Sequence, residues 1–319
     1  MRNSCMALVA LVALTALAAC EPDLGDPASL VKATRFLGVR VEPAEARPGD
    51  TVTLKALVVT PDGTIASAPV GWNVCEAPKP LSQNNVVADD CLYASDNRLP
   101  DSGDTVPMTV PTDACAHFGP DTPAPMPGEP TLRPRDADVT GGYYQPVRAI
   151  VKDPRGSGQT YVAAVALSRI TCNLANAPVD VVVDFRNRYH ANVNPDIERV
   201  LVSTDGATAH DLPATVAPGA KATFRVRWNV DAAETYPVFD VATRKLVDHR
   251  ETMIVSWFAN AGELEHERTG RLEDETEPFT DDAWTAPETP GTYHMWVVLR
   301  DSRGGADFRS FDVTVADAP

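Results

Sequence analysis

From residue 30 onward apolar and polar side chains alternate with a period of two, the mark of strands with one buried face. Val52, Leu54, Ala56 and Val58 interleave with Thr51, Thr53, Lys55 and Leu57, directly after the turn residues Pro48, Gly49 and Asp50. Ala222, Phe224, Val226, Trp228 and Val230 interleave with Lys221, Thr223, Arg225, Arg227 and Asn229, again behind a Pro-Gly pair at Pro218 and Gly219. No stretch of about twelve residues carries the i, i+3, i+4, i+7 apolar repeat of an amphipathic helix, and the scattered prolines would interrupt one. The pattern therefore predicts an all-β chain. It argues against Rossmann, P-loop and TIM-barrel architectures, whose glycine signatures are also absent.

The strand pattern repeats. Pro48 to Ala56 (PGDTVTLKA) corresponds to Pro218 to Val226 (PGAKATFRV), and Pro146 to Gly158 (PVRAIVKDPRGSG) to His294 to Ala306 (HMWVVLRDSRGGA). Such self-similarity points to two related modules, each opening on a turn and an amphipathic strand and closing on a hairpin. In the hairpins Asp153 and Asp301 are expected to accept turn N–H groups, with Gly156 and Gly304 supplying positive φ. The last strand is expected at Phe311, Val313 and Val315.

The amino terminus follows another rule. Arg2 precedes an uncharged run from Met6 to Ala19, too short to cross about 30 Å of hydrocarbon comfortably. Residues 1–19 thus read as a signal peptide. Leu17, Ala18, Ala19 and Cys20 resemble the bacterial lipobox, which implies cleavage before Cys20 and acylation of its sulfur. Residues 20–33, with Glu21, Asp23, Asp26, Pro22 and Pro27, then read as a lipidated tether. Glu21 is not the aspartate of the inner-membrane retention rule, which favours an exported protein anchored in the outer membrane.

In an oxidising compartment the remaining cysteines, Cys75, Cys91, Cys115 and Cys172, make an even set with three pairings open. Sequence neighbours suggest Cys75 with Cys91 and Cys115 with Cys172. A zinc site is disfavoured, because no pair has the short spacing such sites use.

Around Trp257 in VSWFANAGEL, Trp284 to Pro287, Gly291 to Tyr293 and the closing hairpin at Val297 to Gly305, the chain resembles the Ig-like and PKD-like β-sandwich modules of bacterial surface lipoproteins. The resemblance implies two tandem Ig-like domains, residues 34–172 and 197–317, with Trp72 and Trp257 as inter-sheet core residues. The chain departs from the antibody pattern, since no cysteine pair brackets Trp257, and it lacks the Trp-Asp-Phe-Gly-Asp run of PKD modules. The first domain carries an insertion at about 76–142 with eleven prolines, fastened by Cys91 and Cys115. Residues 173–196 read as an interdomain linker in which Val179 to Phe185 forms one more strand.

The chain has 319 residues, with 28 Lys and Arg against 44 Asp and Glu, a net charge of -16. So acidic a chain offers no field for a nucleic-acid backbone. Nine carboxylates crowd residues 263–282, and a solvated loop is expected there ahead of a calcium site, because the EF-hand pattern is absent. The six histidines are dispersed, without metal-ligand spacing, and no G-x-S-x-G elbow occurs. Ser256 and His294 are the first groups to consider for a hydrolase. Without a cofactor, a metal or a catalytic constellation, the expectation is a non-enzymatic envelope lipoprotein acting as spacer, scaffold or assembly component. The alternative is an adhesion protein that recognises a glycan or envelope protein through the Pro-rich insertion. The bilayer is engaged only through the acyl anchor.

Overall fold

The computed structural model describes residues 25–79, 83, 87–93, 97–120, 142–156, 160–206 and 208–317. The lipobox Leu17, Ala18 and Ala19, the lipid site Cys20 and the signal peptide lie outside them.

The first half of the chain contributes β1 (Arg35–Glu42), β2 (Glu45–Ala46), β3 (Thr51–Thr60), β4 (Gly63–Thr64), β5 (Gly71–Val74), β6 (Thr105–Thr109), β7 (Gly142–Lys152) and β8 (Tyr161–Thr171). One sheet is β1-β3-β4 with β6 also on β3, and the other is β2-β8-β7-β5. The alternation read from sequence places Val52, Leu54, Ala56 and Val58 between the two sheets, against Trp72, Val147, Ala149 and Val151.

The second half contributes β9 (Ile197–Ser203), β10 (His210–Asp211), β11 (Ala214–Val216), β12 (Lys221–Trp228), β13 (Thr235–Asp240), β14 (Lys245–Arg250), β15 (Met253–Ala259), β16 (Glu263–Leu264), β17 (Arg268–Arg271), β18 (Phe279–Thr285), β19 (Gly291–Asp301) and β20 (Ala306–Val315). Its sheets are β10-β9-β12-β18-β16 and β11-β20-β19-β15-β17, with β13-β14 as a separate ribbon. Phe224, Val226 and Trp284 of one sheet meet Trp257, Val297 and Val313 of the other.

The repeat is topological as well as sequential. The order β1-β3-β6 matches β9-β12-β18, and β2-β8-β7-β5 matches β11-β20-β19-β15. In each half a two- or three-residue strand crosses to the second sheet and pairs parallel with the last strand. Gly49 and Gly219, at φ 91° and 67°, make the turns that launch β3 and β12.

Four expectations change. The stretch 76–142 is not wholly an insertion, because β6 within it pairs with β3 from Thr105 to Thr109. Val106 and Met108 face the core while Pro107, without an N–H to give, faces out. The same stretch holds two short helices, α1 (Asp89–Tyr93) and α2 (Ala114–Phe118).

Val179 to Phe185 is no strand. It belongs to helix α3 (Val179–Arg188). Period two and a spacing of four both fit these valines, and packing decides between them. Val181, Phe185 and Tyr189 fall on one stripe that meets Leu174 of the linker and Phe239 and Leu246 of the ribbon. Asp180 in the first turn and Arg186 and Arg188 in the last complement the helix dipole.

Residues 263–282 are a loop only in part: β16, β17 and the start of β18 interrupt it, while the solvated turns at 265–267 and 272–278 hold six of the nine carboxylates. Some of the carboxylates have partners: Glu265 with Lys221, Asp281 with Arg225, Asp282 with His266 and Glu273 with His249.

The tether is shorter than expected. Val31 N donates to Ala259 O (2.8 Å) and Ala259 N to Ser29 O (3.0 Å), so the segment adds itself to β15.

The two sandwiches stand side by side. Leu37, Leu57 and Val59, on the outer face of the first, pack against Trp296 and Val298 on the outer face of the second, with Val31 closing the seam. Gly38 permits the approach, since a Cβ there would lie 3.3 Å from Val298 Cγ1. At roughly 1.5–3 kcal/mol for each buried large apolar side chain, this seam supplies several kcal/mol of cohesion.

Candidate functional site

Polar groups converge where the seam meets the linker. Arg169 on β8 and Glu45 on β2 are both fully buried, with Nε to Oε2 at 3.0 Å. Burying such a pair is costly unless every remaining donor and lone pair is satisfied. The remaining guanidinium nitrogens donate to Tyr144 Oη (3.1 Å) and Tyr189 Oη (3.0 Å). Glu45 in turn accepts from Tyr189 Oη (2.6 Å), Asn192 N (2.9 Å) and Thr171 Oγ1 (3.0 Å).

A second buried guanidinium lies across the junction. Arg303 Nε donates to Glu251 Oε1 and Nη2 to Glu234 Oε2, each at 2.6 Å, while Nη1 donates to His190 O at 3.0 Å. Asp301 accepts the turn amides of Arg303 (2.8 Å) and Gly305 (2.9 Å) and the side chain of Asn192 (3.2 Å). Tyr144 Oη donates to Arg303 O at 3.4 Å, which joins the two clusters. Beside them Asn194 bridges the halves, donating to Val41 O (2.7 Å) and accepting from Ala306 N (2.9 Å).

Burial sets the electrostatics. It pushes the Glu251 carboxyl up to about 7, helped by Asp301 and opposed by Arg303. It also raises Asp301, against the hydrogen bonds from Gly305, Asn192 and Arg303. Desolvation works against the charge on Arg303, yet Glu251 outweighs it and the guanidinium stays firmly cationic. Burial holds the Tyr189 phenol protonated, with Glu45 adding to the effect against Arg169. The arrangement is a lock between two sheets and a linker, with its charges spent on one another.

The residues singled out from sequence fall into place around this lock. Trp72 and Trp257 are fully buried, one per core, with their indole N–H groups on Gly103 O and Thr269 Oγ1, each at 2.8 Å. Disulfides join Cys75 to Cys91 and Cys115 to Cys172. Asp153 accepts the Arg155 amide at 3.0 Å. Gly304 has φ 102°. Gly156 does not adopt positive φ, and its requirement is steric: a Cβ would sit 2.8 Å from Thr160 Cβ.

Ser256 is paired with Val298 in mid-strand, while His294, four residues along β19, gives Nδ1 to Asp312 at 2.7 Å. About 13 Å of strand separates them. The structure does not bring the two together: Ser256 lies in mid-strand and the His294 imidazole is engaged by Asp312. Among the described residues no group of three or more His, Cys, Asp or Glu gathers as a metal would need.

Sequence reasoning missed Glu45, Arg169, Glu251 and Tyr189. Single charges in polar surroundings carry no mark of burial. For Arg303 the local pattern indicates turn chemistry and nothing of the lock.

No family model matches the chain, and no curated protein does. Among solved structures it is similar to the D0-D1 domain of intimin, at 13% identity over 87% of this chain and 98% of that one, with a TM-score of 0.21. The adhesin InvE of Yersinia pseudotuberculosis is 11% identical over 91% of this chain and 61% of that one, TM-score 0.23. A lipoprotein from Bacteroides thetaiotaomicron is 18% identical over 39% of this chain and 87% of that one, TM-score 0.22. Identities and TM-scores this low carry no argument, and the fold rests on the pairing and packing within the chain. Among the described residues no helix is long and apolar enough to cross a membrane.

Proposed function

We propose that the chain is an exported cell-envelope lipoprotein of two Ig-like modules that serves as a rigid spacer or scaffold, a component around which envelope parts assemble. The observation that supports this is the lock at the junction. A spacer transmits position only if its modules do not hinge, and the Arg169 and Arg303 clusters tie β2, β8, the linker and the β19-β20 turn into one body.

Acylation at Cys20, within the lipobox formed with Leu17, Ala18 and Ala19, would attach this body to the bilayer. Docking on β15 begins at Ser29, nine residues beyond Cys20, so the play of the anchor is at most about 32 Å and the body is held close to an outer-membrane surface. The partners of this reading are the bilayer, through the acyl chain alone, and an envelope protein or polysaccharide, with no nucleic acid.

The test is in the native host. Cys20→Ser is expected to release the protein from membranes. Arg303→Ala is expected to keep it anchored while reproducing the envelope phenotype of the deletion. Retention of the Cys20→Ser protein in membranes refutes the anchor, and a wild-type phenotype for Arg303→Ala refutes the rigid spacer.

The adhesion reading keeps one observation in its favour. Cys91 and Cys115 fasten the Pro-rich stretch to β5 and β8, and the Cys172 end of β8 lies a strand's length from the Asp153 turn beside Thr34. A specific envelope protein or glycan captured by the intact chain and lost on replacing exposed residues of 97–120 would favour it.

A further inference from the structure

A groove of about 780 Å³ opens at the end of the first sandwich that carries the Cys115–Cys172 disulfide, between α2 and α3. Its walls are largely apolar. The disulfide forms one side, and Phe185 and Tyr189, stacked with centroids 4.6 Å apart, form another. The Tyr189 hydroxyl is already engaged by Glu45 and Arg169, so what this residue offers the groove is its ring.

Two guanidinium groups stand over this surface, Arg47 and Arg186, both exposed. Neither has an ion pair among the described residues, and no carboxylate is among the described residues lining the groove. Arg40, Arg155, Arg169, Arg188, Arg225 and Arg303 each meet a carboxylate, whereas Arg35, Arg148, Arg227 and Arg300, like these two, have no ion pair among the described residues; what sets Arg47 and Arg186 apart is that they border the same apolar groove. The Arg186 guanidinium is held in place by the Asn173 side-chain oxygen, a neutral partner that leaves its charge uncompensated.

We propose that this groove binds an amphiphilic anion, a carboxylate or sulfonate borne on an aromatic or aliphatic body. Arg47 and Arg186 take the anionic head through charge-assisted hydrogen bonds. The Phe185 and Tyr189 rings and the disulfide take the body, in the usual division between a few polar anchors and an apolar lining. The site shares the Tyr189 ring with the junction lock, but Arg47 and Arg186 take no part in the lock, so failure of the proposal would leave the spacer reading untouched.

The probe is 1-anilinonaphthalene-8-sulfonate, titrated by fluorescence into the folded chain from residue 20 carrying Cys20→Ser. Its neutral relative N-phenyl-1-naphthylamine is titrated alongside. The expected result is saturable one-to-one binding of the sulfonate that weakens as salt is added and is displaced by laurate. The double variant Arg47→Ala, Arg186→Ala is expected to bind about 10-fold more weakly or worse, with Arg186→Lys in between. Both arginines are exposed, so the variant's unfolding transition is expected to match that of the parent. Salt dependence and laurate displacement, measured on the parent chain, test the proposal without any variant. Equal binding of the neutral probe, sulfonate binding indifferent to salt, or sulfonate binding unchanged in the double variant overturns the proposal.

Discussion

The hairpins β7-β8 and β19-β20 descend from the same pattern, Asp-x-Arg-Gly at the turn and an apolar strand before it, and the fold uses them differently. In the first, Arg155 is 46% exposed and reaches Asp62, itself 78% exposed. In the second, Arg303 is 1% exposed and pairs with Glu251 at 0%. The strands diverge in the same sense. The outer face of β7 carries Arg148, Ile150 and Lys152 and is not covered by the other sandwich. On β19 the matching positions are Trp296, Val298 and Arg300, and the first two sit in the seam. Turn chemistry follows from local sequence in both hairpins. Whether the arginine two residues after the aspartate is a surface charge or part of a lock depends on what is packed over it.

The largest expected contrast concerns covalent fastening, which only the first sandwich has. Converting Cys115 and Cys172 to Ser removes closure of a loop with a separation of 57 residues, worth about 4 kcal/mol on chain-entropy grounds. Denaturant unfolding should show that loss in the first core, followed by Trp72 fluorescence. A variant in which the second core, followed through Trp257, is weakened equally would show that the sandwiches unfold as one unit.

The turn arginines come next. Arg303→Ala strands the buried Glu251 and the half-buried Glu234 and is expected to cost about 3–5 kcal/mol. Arg155→Ala at the repeat-related position should cost less than about 1 kcal/mol, as surface pairs do. Equal costs would dissolve the comparison.

Along the strands, Val298→Ala is expected to destabilise by about 1.5 kcal/mol from two lost methyl groups, and the partly exposed Ile150→Val by well under about 1 kcal/mol. Melting of both variants by circular dichroism decides it.

The smallest effect is in pH. Glu251 is pushed up to about 7 from its ordinary 4.5 by burial and Asp301, so the folded chain holds this proton more tightly than the unfolded one. Its contribution to stability is complete below about pH 4.5 and is lost as pH rises through about 7. Stability measured against Glu251→Gln should therefore favour the wild type more at pH 5 than at pH 8, and the reverse slope would place the charge elsewhere.

Much of the architecture could be read from the chain. Period two at Val52 to Val58 and at Ala222 to Trp228, each behind a Pro-Gly turn, marks β3 and β12, because a half-buried strand leaves no other pattern. The runs Leu57 to Val59 and Met295 to Leu299, apolar at every position, were the available signal that β3 and β19 are covered on both faces. Less was legible at the junction. A lone Glu45 or Glu251 reads as surface charge, and Val181 to Phe185 fits two periods at once.

Local sequence settles which residues turn and which alternate, since those choices depend on neighbours within a few positions; the cysteine pairing, across 16 and 57 residues, it left open. Assembly of the halves settled the rest: the side-by-side seam, the bridge that Ser29 to Val31 make to β15, the helix at Val179–Arg188 and the burial of Arg169 and Arg303. Those outcomes depend on surfaces separated in the chain by 52 residues, as for Arg303 and Glu251, up to 238, as for Ser29 and Glu267, whose desolvation and pairing energies exist only once the chain has brought them together.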